Sequence, residues 1–380
     1  MIFKTERLIL RPWEESDAES LYEYARDPEV GPIAGWPVHS SVDNSLEIIR
    51  GPLSAKETYA VCLKGDNRAI GSIGFLFPEQ SHTIALEDEL EIGYWIGVPF
   101  WGQGLIPEAI RCLQEHAFFD LGCESLWCGY YDGNEKSKRC QEKCGFTYHH
   151  TEEDKPCVLM GDVRTEHFSK LTRKDYLALT KDKEAVVYVH GKGGSPEEAW
   201  HYKDFFIDGD VYAFDYKAEN PWKADDEFAD YFERLHERYG KVTLIANSIG
   251  AYFSMNSGIE KYVARAFFIS PIVNLEKLIT DMIVWAGTTE EELEKKGIIP
   301  VDFGDDLSWD YLQYTRNHPV SWKVHTAILY GNNDKLQSLD TIESFAHKTS
   351  SDLTVMDNGE HWFHTEDQMK FLDKWLMGLI

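Results

Sequence analysis

A serine hydroxyl is a poor nucleophile until a histidine takes its proton and a carboxylate holds that histidine in one tautomer. Three separated stretches of this chain offer those groups. Lys241–Tyr252 reads KVTLIANSIGAY: an apolar strand over Val242–Ile245, small residues around Ser248, then an apolar helical start. A serine on so sharp a strand-to-helix turn needs small residues two before and two after it, here Ala246 and Gly250. It also sits at a helix N-terminus, where amides can receive an oxyanion. The same pentapeptide equally suits a serine that merely caps a helix. Asp334, in GNNDKL, follows the apolar run Thr326–Tyr330, and His361, in DNGEHWFH, precedes a helical stretch over Met369–Leu379. The order Ser, Asp, His with each group after a strand predicts a nucleophile, its orienting acid and its base. His364 is the alternative ring, and Asp215, Asp305 and Asp306 read as structural.

A second chemistry is written earlier. Glu89–Gly97 (ELEIGYWIG) alternates like a half-buried strand and runs into PFWGQGLIPEA, after which Ile110, Leu113, Ala117 and Phe118 mark a helical face. Two glycines one residue apart at that junction would let backbone N–H groups converge on a pyrophosphate at the helix N-terminus. Pro107 fits there because first-turn amides lack intrahelical partners. A plain glycine turn satisfies the same pattern. Glu91 lies on the strand as a candidate general base, or as a carboxylate facing solvent or an arginine.

The elements that must position these groups divide into two sets. From Glu184 onward, apolar runs at Ala185–Val189, Val211–Tyr216, Val242–Ile245, Ala264–Ile269, Thr326–Tyr330 and Leu353–Val355 alternate with helical patterns such as Asp225–Tyr239. That rhythm predicts a doubly wound, mostly parallel sheet. Residues 271–322 leave the rhythm and read as a helical cap, with Trp285, Trp309, Tyr311 and Tyr314 either walling a pocket or packing on the core. Before Leu179 the pattern differs: strands at Leu8–Trp13, Tyr59–Leu63, Ala69–Phe77, Glu89–Gly97 and Cys157–Phe168, a helix introduced by a Ser16/Glu19 capping box, and a short helix over Thr172–Leu179. Thr180–Lys183 is a polar joint, so the expected domains are 1–179 and 184–380.

The combination TERLILRPW, ELEIGYWIG, WGQGLIPEA and Asn134-x-x-Ser137 before Lys143-Cys144-Gly145-Phe146 resembles the GNAT acyltransferase superfamily, in the branch of ribosomal-protein and small-amine N-acetyltransferases. The resemblance implies an α+β mixed sheet binding acetyl-CoA as co-substrate where two strands splay. Ile96, Gly97 and Val98 would then offer backbone to the pantetheine arm, and Gln103, Gly104, Leu105 and Ile106 would wrap the pyrophosphate. Asn134 would reach the pantetheine or adenosine. The chain has Trp101 where that family opens its loop with Arg or Gln, Ile106 where Gly or Ala is usual, and Gln141 where many relatives carry a tyrosine acid. Tyr130 and Tyr131 lie nearby in sequence. The second half resembles the α/β-hydrolase superfamily, which implies an oxyanion hole from the backbone amides of Lys192, in the His190-Gly191 turn, and Ile249.

A length of 380 residues suits two domains, and a net charge of −27 argues against nucleic-acid partners, whose phosphates require clustered Lys and Arg. No apolar run of membrane-spanning length occurs, and the N-terminus is charged from its fourth residue, so neither membrane insertion nor a secretory leader is expected. All seven cysteines precede residue 160, with no Cys-x-x-Cys pair. They predict a reducing cytoplasm and no metal. The expected protein is thus a bifunctional enzyme acting on small molecules: an amine acceptor for the first half, an ester, thioester or amide for the second. The rival readings are a first half that only senses acyl-CoA, and a second half that only binds.

Overall fold

The computed structural model describes residues 1–81 and 86–380, which form two units, Met1–Leu179 and Thr180–Ile380. In the first, the alternating apolar residues build β1 (Phe3–Lys4) and β2 (Leu8–Arg11). They are followed by α1 (Ala18–Ala25), α2 (Val42–Arg50), β3 (Thr58–Leu63), β4 (Ala69–Leu76), β5 (Glu89–Ile96) and α3 (Leu105–Glu115). β6 (Ser125–Tyr131), α4 (Glu135–Lys143), β7 (Thr147–Cys157), β8 (Asp162–Thr172) and α5 (Arg173–Ala178) complete it. The strands form one sheet in the order β1-β2-β3-β4-β5-β6-β8-β7, antiparallel at every junction except β5–β6. One face carries Leu90, Ile92 and Ile96 against Ile106, Ile110 and Leu113 of α3. Trp13, Leu21, Ala25 and Ile49 form a separate buried cluster with Ala60 and Cys62 of β3.

Two local expectations change. The capping box is Glu14 with Asp17, not Ser16 with Glu19, because Asp17 is buried in a bidentate pair with Arg11 at 2.7 and 2.8 Å and turns the chain there. The strand expected over Cys157–Phe168 is instead a hairpin, β7 and β8. Its turn carries Val158 and Leu159, 86% and 70% exposed, so an apolar run disguises a chain reversal.

The second unit is built from β9 (Glu184–Val189), β10 (Asp210–Ala213), α6 (Pro221–Arg238), β11 (Lys241–Asn247), α7 (Ile249–Asn256) and β12 (Arg265–Ile269). Next come α8 (Leu275–Trp285), α9 (Glu290–Lys296), the two-stranded β13 (Ile298–Ile299) and β14 (Leu307–Ser308), and α10 (Trp309–Asn317). β15 (Thr326–Gly331), α11 (Leu339–Thr349), β16 (Asp352–Met356) and α12 (Glu366–Met377) close the chain. Its main sheet runs β10-β9-β11-β12-β15-β16, with all five junctions parallel. The crossovers from β9 and from β11 leave toward opposite edges, which opens a crevice beyond the carboxyl ends of those two strands. β10 stops at Ala213, short of the expected Tyr216, because Phe214 stacks on Tyr231 of α6 at 4.1 Å.

The turn from β11 into α7 is held by backbone proximity. A methyl group on Gly250 would stand 2.4 Å from the carbonyl oxygen of His190 and 2.8 Å from that of Val189. Gly250→Ala is expected to cost about 1–3 kcal/mol of stability, since backbone atoms cannot yield as a side chain would. Urea denaturation of the full chain measures this, and an unchanged midpoint would contradict the packing.

In the first unit a buried imidazole bridges two carboxylates: His116 meets Asp120 at 2.8 Å and Glu57 at 3.0 Å. Burial alone would lower its pKa, but the bonds to Asp120 and Glu57 outweigh that and hold it above the ordinary value. A raised folded-state pKa stabilises fully below the unfolded value and is lost as pH climbs through the folded one. The stability gap between wild type and His116→Gln should therefore shrink on going from about pH 5 to about pH 9. Urea midpoints across that range test it, and a constant gap would refute it.

Candidate functional site

Ser248 has φ 52° and ψ −122°, a conformation costly for a residue with a Cβ and suited to a knuckle that lifts the side chain off the strand. Its Oγ lies 2.7 Å from Nε2 of His361, and Nδ1 of His361 lies 2.6 Å from Oδ2 of Asp334. The carboxylate can only accept, so Nδ1 carries the hydrogen and Nε2 accepts from the serine. Asp334 is fixed in turn: its other oxygen accepts from the amides of Leu336 at 2.7 Å and Gln337 at 3.3 Å, and its side chain is wholly buried. His364 faces elsewhere, stacked on Trp362 with Nδ1 donating to the Trp362 carbonyl at 2.7 Å.

Two features of this constellation escaped sequence reasoning. Gly331 and Gly359 meet so closely that a Cβ on Gly331 would lie 2.3 Å from the Gly359 carbonyl carbon. The side-chain oxygen of Asn332 accepts from the Asn358 amide at 2.7 Å. These contacts lace the aspartate loop to the histidine loop; the paired GNN and DNG triplets were their only sequence signal. Likewise Gly191 packs on the nucleophile candidate, where a methyl would stand 2.8 Å from Ser248 Cβ. The loop is fixed by the Tyr216 hydroxyl donating to the His190 carbonyl at 2.9 Å. Ile249 is the first residue of α7, and Lys192 follows Gly191 and pairs through its side chain with Asp305. Asp215 pairs with Lys217 on the surface. Of the cap aromatics, Tyr311 and Tyr314 pack against Trp222, Trp309 lies on the core, and Trp285 stands half-exposed beside Phe303.

In the first unit, β5 and β6 pair through only three residues each, Glu89–Glu91 with Ser125–Trp127. Beyond that point the strands run on without pairing to each other, β5 to Ile96 and β6 to Tyr131. The loop after β5 carries Gly102 and Gly104 at φ 76° and 75°, and Gly104 caps α3. A methyl on Gly102 would meet nothing among the described residues within 4 Å, so the loop offers open backbone beside the first amides of α3, at Leu105 and Ile106. Arg7, unnoticed in the sequence, holds this loop: it donates to the Gln103 carbonyl at 2.9 Å and to Glu108 at 2.7 Å. Lys136 places its ammonium 3.3 Å from the centre of the Trp101 ring, bringing a cation to the loop where position 101 supplies none.

Some of the expected backbone donors and acceptors are already engaged. The Gly97 amide bonds Ile70 and the Ile96 carbonyl accepts from Trp101 Nε1 at 2.9 Å, while the Val98 carbonyl accepts from the Trp101 amide. Asn134 spends its side-chain oxygen capping α4, on the Ser137 amide at 3.2 Å. Gln141 is buried, donating to the Gly129 carbonyl at 3.1 Å, and its own oxygen has no partner among the described residues. Glu91 is buried and accepts from Ser81 at 2.6 Å. Among the described residues no group of His, Cys, Asp and Glu could hold a metal, the cysteines are free thiols, and no helix is long and apolar enough to cross a membrane.

The acetyltransferase (GNAT) domain family matches residues 7–147. The uncharacterized N-acetyltransferase p20 of Bacillus licheniformis is 32% identical over 127 residues, covering 32% of this chain and 68% of p20. The uncharacterized N-acetyltransferase YoaA of Bacillus subtilis is 28% identical over 150 residues, covering 38% of this chain and 82% of YoaA. A crystal structure of a GNAT-family acetyltransferase from Bacillus anthracis is 23% identical, with a TM-score of 0.40, over 46% of this chain and 99% of that one. Through its first unit, the chain belongs to the GNAT acetyltransferase family.

Proposed function

We propose that the first unit transfers acetyl from acetyl-CoA to an amine and that the second is a serine hydrolase of the α/β-hydrolase type. For the first unit, the diverging pair β5–β6 and the open glycine loop at α3 favour acetyl-CoA as co-substrate. Gln103, Gly104, Leu105 and Ile106 would receive the pyrophosphate, with Lys136 as a nearby cation, and Asn134 would hold the pantetheine side. Ile96, Gly97 and Val98 would line that arm with whatever backbone their in-chain bonds leave. Glu91 would take a proton from the attacking amine, directly or through water.

The hydrolase reading rests on one observation, the unbroken chain of short hydrogen bonds from Asp334 through His361 to Ser248. Ser248 would attack the acyl carbon as His361 takes its proton, and the amides of Lys192 and Ile249 would receive the oxyanion. The acyl-enzyme then yields to water activated by the same imidazole. The substrate is an ester, thioester or amide.

A fluorophosphonate should add one adduct mass to the intact wild-type chain and none to Ser248→Ala. That variant should lose p-nitrophenyl acetate turnover roughly a thousandfold or more. A folded wild type inert to the probe ends the hydrolase reading. For the transferase, Glu91→Gln should lower kcat for acetyl-CoA with an amine panel about a hundredfold, leaving acetyl-CoA affinity unchanged. An unaltered kcat removes Glu91 as base.

A further inference from the structure

A departing thiolate needs a proton, and Gln141 has no acidic hydrogen to give. The hydroxyl groups near the divergence of β5 and β6 narrow the choice. Tyr130 turns into a groove of about 450 Å³ shared with Asp132, Glu142, Tyr148 and His167, where its ring lies 5.0 Å from that of His167. Tyr131 lies against Gly35, where a methyl would stand 2.6 Å from its ring, and beneath the guanidinium of Arg164. Tyr94 is different. It stands on β5 three residues beyond the last pairing with β6, and its hydroxyl crosses to the first turn of α4, 3.0 Å from Ser137 Oγ. Ser137 Oγ also accepts from Gln141 Nε2 at 3.3 Å. The result is a half-buried polar line from β5 to the β6 edge: Tyr94, Ser137, Gln141, then the Gly129 carbonyl. Along it, the side-chain oxygen of Gln141 is buried with no hydrogen-bond partner among the described residues.

Resting on the acetyl-transfer reading, we infer that Tyr94, held by Ser137, donates the proton taken by the thiolate leaving acetyl-CoA. The amine nitrogen bonds to the acetyl carbon, the carbon–sulfur bond breaks with its electron pair on sulfur, and the Tyr94 hydrogen passes to sulfur to give the free thiol. The phenolate then recovers from solvent the proton that the amine nitrogen releases, so a neutral amine and acetyl-CoA give the amide and free CoA; an acceptor that enters as its ammonium ion yields one further proton. Burial, then the neighbouring Cys128 and Cys140, raises the phenol's pKa above its ordinary value, so the resting hydroxyl carries its hydrogen.

The test compares leaving groups, all in the full-length Ser248→Ala background so that the second unit cannot cleave the donor. Acceptors are benzylamine, spermidine and a peptide beginning with alanine; donors are acetyl-CoA and phenyl thioacetate, whose aryl thiolate departs without a proton. Tyr94→Phe should lower kcat with acetyl-CoA roughly a hundredfold at an unchanged KM, and change phenyl thioacetate turnover by no more than about threefold. Ser137→Ala should lose less than Tyr94→Phe, and the double variant should be no worse than Tyr94→Phe, as for groups acting in series. Equal losses on both donors, or none on acetyl-CoA, would overturn the assignment. If the parent chain binds acetyl-CoA, seen as a raised melting temperature, yet releases no CoA with any acceptor, the transfer reading fails and takes this assignment with it. Tyr94→Phe keeps the ring, and its melting temperature separates a lost proton from a lost fold.

Discussion

A run of parallel strands must stop pairing somewhere, and where it stops, backbone groups and side chains are released from the ladder. Both candidate sites of this chain lie at such a place. In the second unit, β9 and β11 end side by side with their crossovers leaving in opposite directions, so Gly191 and Ser248 meet above the sheet. In the first, β5 and β6 form the sheet's parallel junction and separate after three residue pairs. The proposed chemistry differs, but the constraint is shared: geometry at the carboxyl end of a parallel pair decides what can be held there.

What surrounds each place reflects the cost of holding it. Ser248 is kept in an unfavourable backbone region by two glycines, Gly250 in its own turn and Gly191 in the loop after β9, each packed where a methyl group would collide. Asp334 is buried yet hydrogen-bonded on both oxygens, so its desolvation is offset and its direction fixed. In the first unit the open loop is stiffened from outside by Arg7, and the gap between strands is crossed by Tyr94 and Gln141.

The meeting of Ser248, Asp334 and His361 was legible in the sequence because each follows an apolar run short enough to be a strand, and their order is restrictive. The lock between Gly331 and Gly359 was not, since a contact between loops twenty-eight residues apart leaves no periodic trace. The reach of Tyr94 was hidden for a related reason: alternation tells which residues share a face of β5, not which helix covers that face. The β7–β8 hairpin was misread as one strand because Val158 and Leu159, exposed at its tip, look in sequence like the interior of a strand. Val211–Tyr216 was read too long because burial of Phe214 and Tyr216 against helices gives the same apolar pattern as pairing in a sheet.

The segment from Asn134 to Gln141 carries its cap, its hydroxyl and its amide at spacings of three and four, one stripe along a helix of nine residues. Such a stripe works like the teeth of a key. Adding or removing one residue inside it would swing everything beyond the change by about 100° about the helix axis, out of register with Tyr94 and the β6 edge. The segment should thus accept exchanges of side chain far more readily than any change of length, and homologues that diverge freely here in composition should still keep the count.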